Sequence, residues 1–563
     1  MKRTLLLATL FLLPTVLFGE TTQRYMVATR HPFAGRLAPL MQTIEGGADS
    51  AIPERNLTAF HIVNGFAADL TAEEAATLRK SPEVTMVYVA PERHAYALPK
   101  PATEELRNPN GQTTTYGINL VDAPGAWVAG RGEGINVAVL DTGIDLNHPD
   151  LKALIAGGYN TYNKTDVAQD DHYHGTHCAG TIAAIDNGIG VVGVAPNAKL
   201  WAVKVLDSKG SGRLDNVLGG IQFVVDKKAA IGGNWIISMS LGSVDSDPLE
   251  AAAVAKAIDA GILVVAASGN DSTSTQVAPV GFPAGYPGVV AVGAVDSSSR
   301  IADFSNQGAE VLLSAPGVDV LSTVPVGKGV FSVVQNGDQN IDAPALTGSK
   351  TGTVTGKFVD CGLGHVGEFP SSVRGNIALI KRGDITFNEK TKNALNAGAI
   401  AVVITNKDTS ALAFTLISQN CDANGANCVD SPADLAFAWP VTVSISLADG
   451  NALRATPNAT ITVTNIRDDY EILSGTSMAC PHVSGAAAVV WSLAPTATAE
   501  QIKNALTQTA RDKGAAGKDD AYGFGIVDVL AAGKLLAPSK FGTGANPPPD
   551  VPPSGRRILR RPH

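Results

Sequence analysis

Five short, unbroken apolar runs, GINVAVLD, KLWAVKVL, NWIISMSL, GILVVAASGN and VVAVGAV, limit what this chain can fold into more than any other feature. A strand with one wet face alternates apolar and polar residues. A strand covered on both faces has no reason to alternate, and parallel sheets sandwiched between helices are built from such strands. Helical stretches lie between the runs, among them THCAGTIAAI and DPLEAAAVAKAIDAG. From about residue 111 the chain therefore predicts an α/β architecture, a doubly wound parallel sheet with helices on both sides.

Near Val324 the rhythm stops. Residues 328–467 are rich in Thr, Val, Asn and Gly, with strand-like alternation in GTVTGKFVD and ATITVTNI and one helical stretch, NEKTKNALNAG. The earlier pattern resumes with the helix SMACPHVSGAAAVVWSLA. This order predicts a mainly-β domain inserted into a loop of the first, which then spans 111–327 and 468–537; surface loops tolerate such insertions. Residues 24–98 predict a small α+β unit, with strands at RYMVATR and EVTMVYVA and a helix opened by Thr71 in TAEEAATLRK. Residues 99–110 read as a linker and 538–563 as a Pro-rich, basic tail.

At the N-terminus Lys2 and Arg3 precede an apolar stretch from Leu5 to Phe18 and a small Gly19, the layout of a secretory signal over residues 1–19. No later apolar run reaches the roughly 18 residues that cross a bilayer. Export without a membrane span after signal removal is expected, in an extracellular setting. A formal charge of −9, from 43 Lys and Arg against 52 Asp and Glu, leaves no basic surface for nucleic acid. Five cysteines cannot all pair within one chain. Cys421 and Cys428 bracket a Gly/Asn/Asp loop and are placed to close a small disulfide ring, Cys361 has no obvious partner, and Cys178 and Cys480 read as buried thiols.

Three segments put a reactive side chain where an apolar element ends. DTGID delivers Asp141 at a strand end, HGTH delivers His174 at a helix start, and GTSMACPH delivers Ser477 at another. In an open α/β sheet these ends converge along one edge. A serine is a weak nucleophile until a base takes its proton, and the base needs a carboxylate to hold its tautomer. A fourth segment, SGN, ends a strand with Asn270, whose amide can donate to a developing oxyanion beside the Ser477 backbone N–H. His172, His174 and His177 in DDHYHGTH offer a rival reading as metal ligands, against which the small, apolar continuation CAGTIAAI speaks.

The set DTGID, HGTH, SGN and GTSMACPH, in the order Asp–His–Ser, resembles the subtilisin-like (S8) serine peptidases over roughly 111–325 and 468–535. The resemblance implies a subtilisin-like fold and a serine endopeptidase acting on polypeptides, with Asp141 as orienting carboxylate, His174 as base, Ser477 as nucleophile and Asn270 as oxyanion donor. His177 and His482 match positions other than the base. Ser240, Leu241 and Gly242 resemble the strand that pairs with an extended substrate. Ala267 and Gly281 match the wall and floor of the pocket for the residue before the scissile bond, implying a deep apolar pocket for aromatic or large aliphatic side chains. A preference for arginine there would need acidic groups in the wall, and Asp245 and Asp247 lie nearby in sequence.

The same resemblance implies a structural calcium site made by Gln112, Asp150 and Asn187 with the carbonyls of Ile185, Ile189 and Val191, an all-oxygen shell suited to a hard cation. Residues 24–98 resemble the inhibitor-type (I9) propeptide, which covers the cleft, assists folding and acts as an intramolecular inhibitor, with cleavage expected between about Leu98 and Gln112. The insert resembles a protease-associated (PA) domain through FVDCGLG, GNIALIKRGDITFNEKTKNALNAGAIAVVITN and PVTVSIS, but has Ile385 where many relatives carry a cysteine. A monomer is expected.

Overall fold

A computed structural model describes residues 21–31, 56–96, 111–337, 339–407, 414–421 and 428–542. The expected signal, the linker 99–110 and most of the tail lie outside the described residues. The chain divides into two compact units, Met1–Pro91 and Glu92–His563.

In the smaller unit four antiparallel strands run in the order Thr58–Phe60, Gly65–Leu70, Gln23–Thr29 and Val84–Val89. Its helix, Ala72–Leu78, starts where expected because Thr71 and Glu74 cap each other's backbone N–H reciprocally. Ala75 and Leu78 then point into a core with Tyr25, Val27, Phe66 and Val87. The strands Thr58–Phe60 and Gly65–Leu70 were not expected. They are short, and alanines in GFAADL leave little apolar alternation to read.

The larger unit is built on a seven-stranded sheet. Its order is Val311–Pro316, Val290–Val295, Leu263–Ala267, Asn234–Met239, Ile135–Asp141, Lys199–Lys204 and Ile155–Asn160, all neighbours parallel. The five apolar runs supply five of these strands, and Ile135–Asp141 is buried along its whole length. The helices His174–Ala183 and Thr476–Leu493 are likewise buried along nearly their whole length, and their small residues Ala179, Ala183, Ala486 and Ala487 let them approach the sheet closely. The doubly wound α/β class expected from the runs is the one observed.

The insert forms a second seven-stranded sheet in the order Gln339–Asp342, Gly329–Asn336, Thr460–Asp468, Gly352–Asp360, Ile377–Lys381, Ala401–Thr405 and Val441–Ile445. The first four strands pair antiparallel and the last four parallel. Besides the expected helix, Phe387–Asn396, two more were not anticipated: Pro432–Leu435 and Leu447–Arg454. Both are short and start on serine caps, Ser431 and Ser446, so local capping rather than apolar periodicity defines them. The insert's ends are drawn together by an antiparallel ribbon in which Val320 pairs with Leu473 and Thr323 with Tyr470. That ribbon returns the chain to the sheet just before Ser477.

Candidate active site

The site collects at the carboxyl edge of the parallel sheet, where strands stop and helices begin. Asp141 ends the strand Ile135–Asp141, beside the central one, and its carboxylate lies 2.8 and 2.9 Å from His174 Nδ1. Both residues are fully buried. The Thr142 N–H donates to Asp141 Oδ1 at 2.7 Å, and Thr142 Oγ in turn accepts from the Gly175 N–H at 2.9 Å. Asp170 completes this frame: it accepts from Thr142 Oγ and from the Thr176 N–H, and burial raises its carboxyl above the ordinary range despite those hydrogen bonds. Nothing in the sequence distinguished Asp170 from its neighbour Asp171, which pairs instead with Lys204 at 2.7 Å.

Ser477 sits at the start of its helix behind Gly475, whose φ of 151° is open only to glycine without strain. Its hydroxyl donates to the Ser240 carbonyl at 2.8 Å, while His174 Nε2 has no hydrogen-bond partner among the described residues. The structure thus joins Asp141 to His174 but turns Ser477 toward Ser240, so the serine–histidine bond of the expected triad is not made here. A rotation about the serine Cα–Cβ bond from one staggered well to another would redirect the hydroxyl. Pro481 lies inside the Ser477 helix and has no N–H to give back to the Ser477 carbonyl. That carbonyl instead accepts from Ser240 Oγ at 2.9 Å and from the Cys178 thiol at 3.5 Å, tying the helix start to its neighbours.

Asn270 is held from one side and presented on the other. Its Oδ1 accepts from the Thr476 N–H and hydroxyl, both at 2.9 Å, which fixes which way the amide points. Its Nδ2 then donates to the Tyr96 carbonyl at 2.7 Å. Thr476 is a positioning residue that motif reading passed over, although it stands directly before Ser477.

Tyr96 closes a peptide strand lying across the site. Glu92–Ala95 pairs antiparallel with Leu241–Gly242 on one side and with Ser211–Arg213 on the other. The Tyr96 N–H donates to the Ser240 carbonyl at 3.3 Å. Its ring occupies the expected pocket: a Cβ on Gly281 would come within 2.8 Å of the Tyr96 hydroxyl, and one on Gly242 within 2.7 Å. Ala267 is buried at the end of its strand. Ser240, Leu241, Gly242 and Gly281 therefore meet one peptide. The carbonyl presented to Asn270 belongs to Tyr96, upstream of the Leu98–Gln112 window in which cleavage was expected.

The other histidines are engaged elsewhere. His177 Nε2 lies 3.0 Å from the Val320 carbonyl and 3.2 Å from that of Glu471, so this nitrogen carries the proton, and burial pulls its pKa down to about 3. His482 Nδ1 bonds the Met478 carbonyl at 2.7 Å, and burial pulls its pKa down to about 4. His172 stacks on Tyr173. The rival histidine metal site is not formed, because His174 and His177 face different partners. Asp141, His174 and Cys178 do bring ligand atoms within 4.8 Å of one another. The Cys178 thiol, however, donates to the Ser477 carbonyl at 3.5 Å, and Asp141 and His174 already bond each other. Cys480 is buried too, and Cys421 and Cys428 are register partners in a two-stranded hairpin.

The expected calcium residues come together away from the cleft. Gln112 Nε2 lies 2.9 Å from the Ile185 carbonyl and 3.2 Å from that of Val191. Asn187 Nδ2 lies 2.9 Å from Asp150 Oδ1, and the Ile189 N–H donates to Asn187 Oδ1 at 3.1 Å. Asp150 is fully buried, and among the described residues it has only neutral donors: Asn187, the Val191 N–H and the Tyr470 hydroxyl at 2.8 Å. A buried carboxylate without a cationic partner, ringed by carbonyls and two amides whose oxygens a half-turn presents, fits a hard cation. Tyr470 enters from the ribbon after the insert and had no signal in the sequence.

Fold and constellation together define a class: a doubly wound α/β protein with an aspartate, a histidine and a serine gathered at the carboxyl edge of its sheet. The chain belongs to the subtilase family, whose profile it matches over residues 132–356 and 373–525, and it matches the peptidase inhibitor I9 profile over 39–96. It is 42% identical over 270 residues to subtilisin E of Bacillus subtilis, covering 48% of this chain and 65% of that protein. It is 44% identical over 218 residues to a subtilisin of Bacillus pumilus, covering 38% of this chain and 77% of that protein. Among solved structures, a psychrophilic subtilisin-like protease from the Antarctic psychrotroph Pseudoalteromonas sp. AS-11 superposes with a TM-score of 0.55 at 31% identity, over 77% of this chain and all of that one.

Proposed function

We propose that this chain is a secreted serine endopeptidase made as a self-inhibited precursor. The observation that carries the reading is the peptide strand Glu92–Tyr96, paired along Leu241–Gly242 with its terminal carbonyl on Asn270. That is the pose of an extended polypeptide with one bond offered for attack. In this reading the Ser477 hydroxyl turns to His174 Nε2, gives up its proton and attacks the carbonyl carbon. Asp141 holds the Nδ1–H tautomer and stabilises the imidazolium. Asn270 Nδ2 and the Ser477 N–H receive the oxyanion. His174 then protonates the departing amine, and water activated by the same imidazole releases the acyl group.

The bond offered is Tyr96–Ala97, so the precursor cuts itself there and the I9-like segment remains an intramolecular inhibitor until it is removed. A pocket floored by Gly281 suits aromatic or large apolar side chains at the residue before the bond. Gln112, Asp150, Asn187 and the carbonyls of Ile185, Ile189 and Val191 would hold a calcium ion, which stabilises the loop and takes no part in the chemistry. The insert is assigned as a PA domain, which the separate cores of its sheet support. Export rests on the Lys2–Phe18 pattern, and no helix among the described residues is long and apolar enough to cross a membrane. The test is expression of the full chain and of Ser477→Ala. The unaltered chain should yield a mature form beginning at Ala97 and react with a fluorophosphonate. Ser477→Ala should do neither, and a Ser477→Ala chain that matures and hydrolyses peptides would end the proposal.

A further inference from the structure

Three residues before Tyr96, a second side chain of the same strand is swallowed whole. Arg93 is fully buried, and its guanidinium is met by an acceptor at each of its five N–H groups. Nε and one terminal nitrogen reach the two oxygens of Glu250 at 3.1 and 2.7 Å. The others donate to Ser243 Oγ at 2.8 Å and to the carbonyls of Glu92 and Asp245 at 3.1 and 3.3 Å. A fork-to-fork pair of this kind recognises shape as well as charge.

The acidic wall is also held by groups other than the arginine. Glu250 is fully buried and stands in the first turn of the helix Pro248–Asp259, capped by Asp247, where the helix dipole favours an anion. Tyr286 places its hydroxyl 3.0 Å from Glu250 Oε2 and accepts from the Asp247 N–H at 2.7 Å, fixing the carboxylate against the pocket. With the arginine replaced by an apolar side chain, Glu250 would be left buried without a cation, which proteins tolerate poorly. A lysine would satisfy the charge but leave several acceptors unmet.

We infer that Glu250 makes this pocket selective for arginine at the fourth residue before the scissile bond, so that preferred substrates are polypeptides with arginine there and an aromatic or large apolar residue next to the bond. The inference rests on the endopeptidase reading above. The test uses the mature enzyme with internally quenched peptides of the form Xaa-His-Ala-Tyr-Ala-Ser, in which Xaa is Arg, Lys, Leu or Glu. Arg should exceed Leu by on the order of 10²-fold in kcat/KM, with Lys between and Glu poorest. Glu250→Gln and Glu250→Leu should collapse the Arg-to-Leu ratio, chiefly through KM. Equal cleavage of the Arg and Leu peptides by the unaltered enzyme would overturn the inference and leave the peptidase reading standing, and so would a ratio unchanged by the two substitutions. If the variants fail to fold, the peptide series alone decides. Failure of every peptide together with no fluorophosphonate labelling would overturn both.

Discussion

Two pockets receive side chains from one peptide strand, and they work by opposite means. The pocket around Tyr96 exists because Gly242 and Gly281 have no side chains; what it offers is space. The pocket around Arg93 exists because Glu250, Ser243 and Tyr286 do have side chains, and what it offers is a set of aimed acceptors. An apolar pocket discriminates by roughly 1–3 kcal/mol per group, whereas a pocket of buried polar groups rejects what fails to pair with it far more strongly. On the proposed function, the sharper determinant of substrate choice would therefore lie farther from the scissile bond.

The largest expected effect spares the contrast and tests what the pockets share. Ser477→Ala should lower kcat by on the order of 10⁶ for every peptide, whatever its fourth residue, as read by steady-state hydrolysis. Next comes a direct attempt to break the comparison. Exchanging the arginine and the tyrosine within the peptide puts a charge into the glycine-floored pocket and leaves Glu250 unpaired. At about 3–5 kcal/mol for an unpaired buried charge, kcat/KM should fall by roughly 10³. A peptide cleaved equally well in either order would show that the pockets do not differ as described.

Asn270→Ala should cost about 10²–10³ in kcat and should leave the ratio between Arg and Leu peptides where it was, because the oxyanion contact is common to both. The smallest effect is on stability. If calcium is present at a hundredfold excess over its Kd, its removal should cost about 2.7 kcal/mol. That appears as a lower Tm by calorimetry in chelator, restored by calcium, and an unchanged Tm would remove the ion from the account.

The difference between the pockets also marks what could be read in advance. The strand runs announced the parallel sheet, since burial on both faces leaves a compositional trace along a single segment. Asp141, His174, Asn270 and Ser477 were legible because each stands in a short motif at an element's end. Gly281 and the Ser240–Gly242 strand were legible by resemblance. Glu250 was not: in DPLEAAAVAKAIDAG it reads as an ordinary acidic residue in a helix's first turn, no more marked than Asp245 or Asp247. The structure uses Asp245 through its carbonyl and Asp247 as a helix cap, leaving Glu250 as the acid that reaches the peptide. Thr476, Asp170 and Tyr470 were missed for the same reason, because each acts through a partner distant in sequence or set by side-chain orientation.

By itself the sequence determined the α/β class, the interruption of its pattern by a strand-rich insert, and the motifs holding Asp141, His174, Asn270 and Ser477, on which the proposed acyl transfer rests. Those features depend on local pattern: burial on two faces, the chemistry of strand ends and helix starts, and fixed short motifs. Tertiary structure alone decided that the Asn270 amide is aimed by Thr476, that Tyr96 rather than a later residue offers its carbonyl, and that Arg93 meets Glu250 across 157 positions of chain. Hydrogen bonds and ion pairs depend on distances of a few tenths of an ångström between groups that only folding brings together, and no pattern along the chain encodes them.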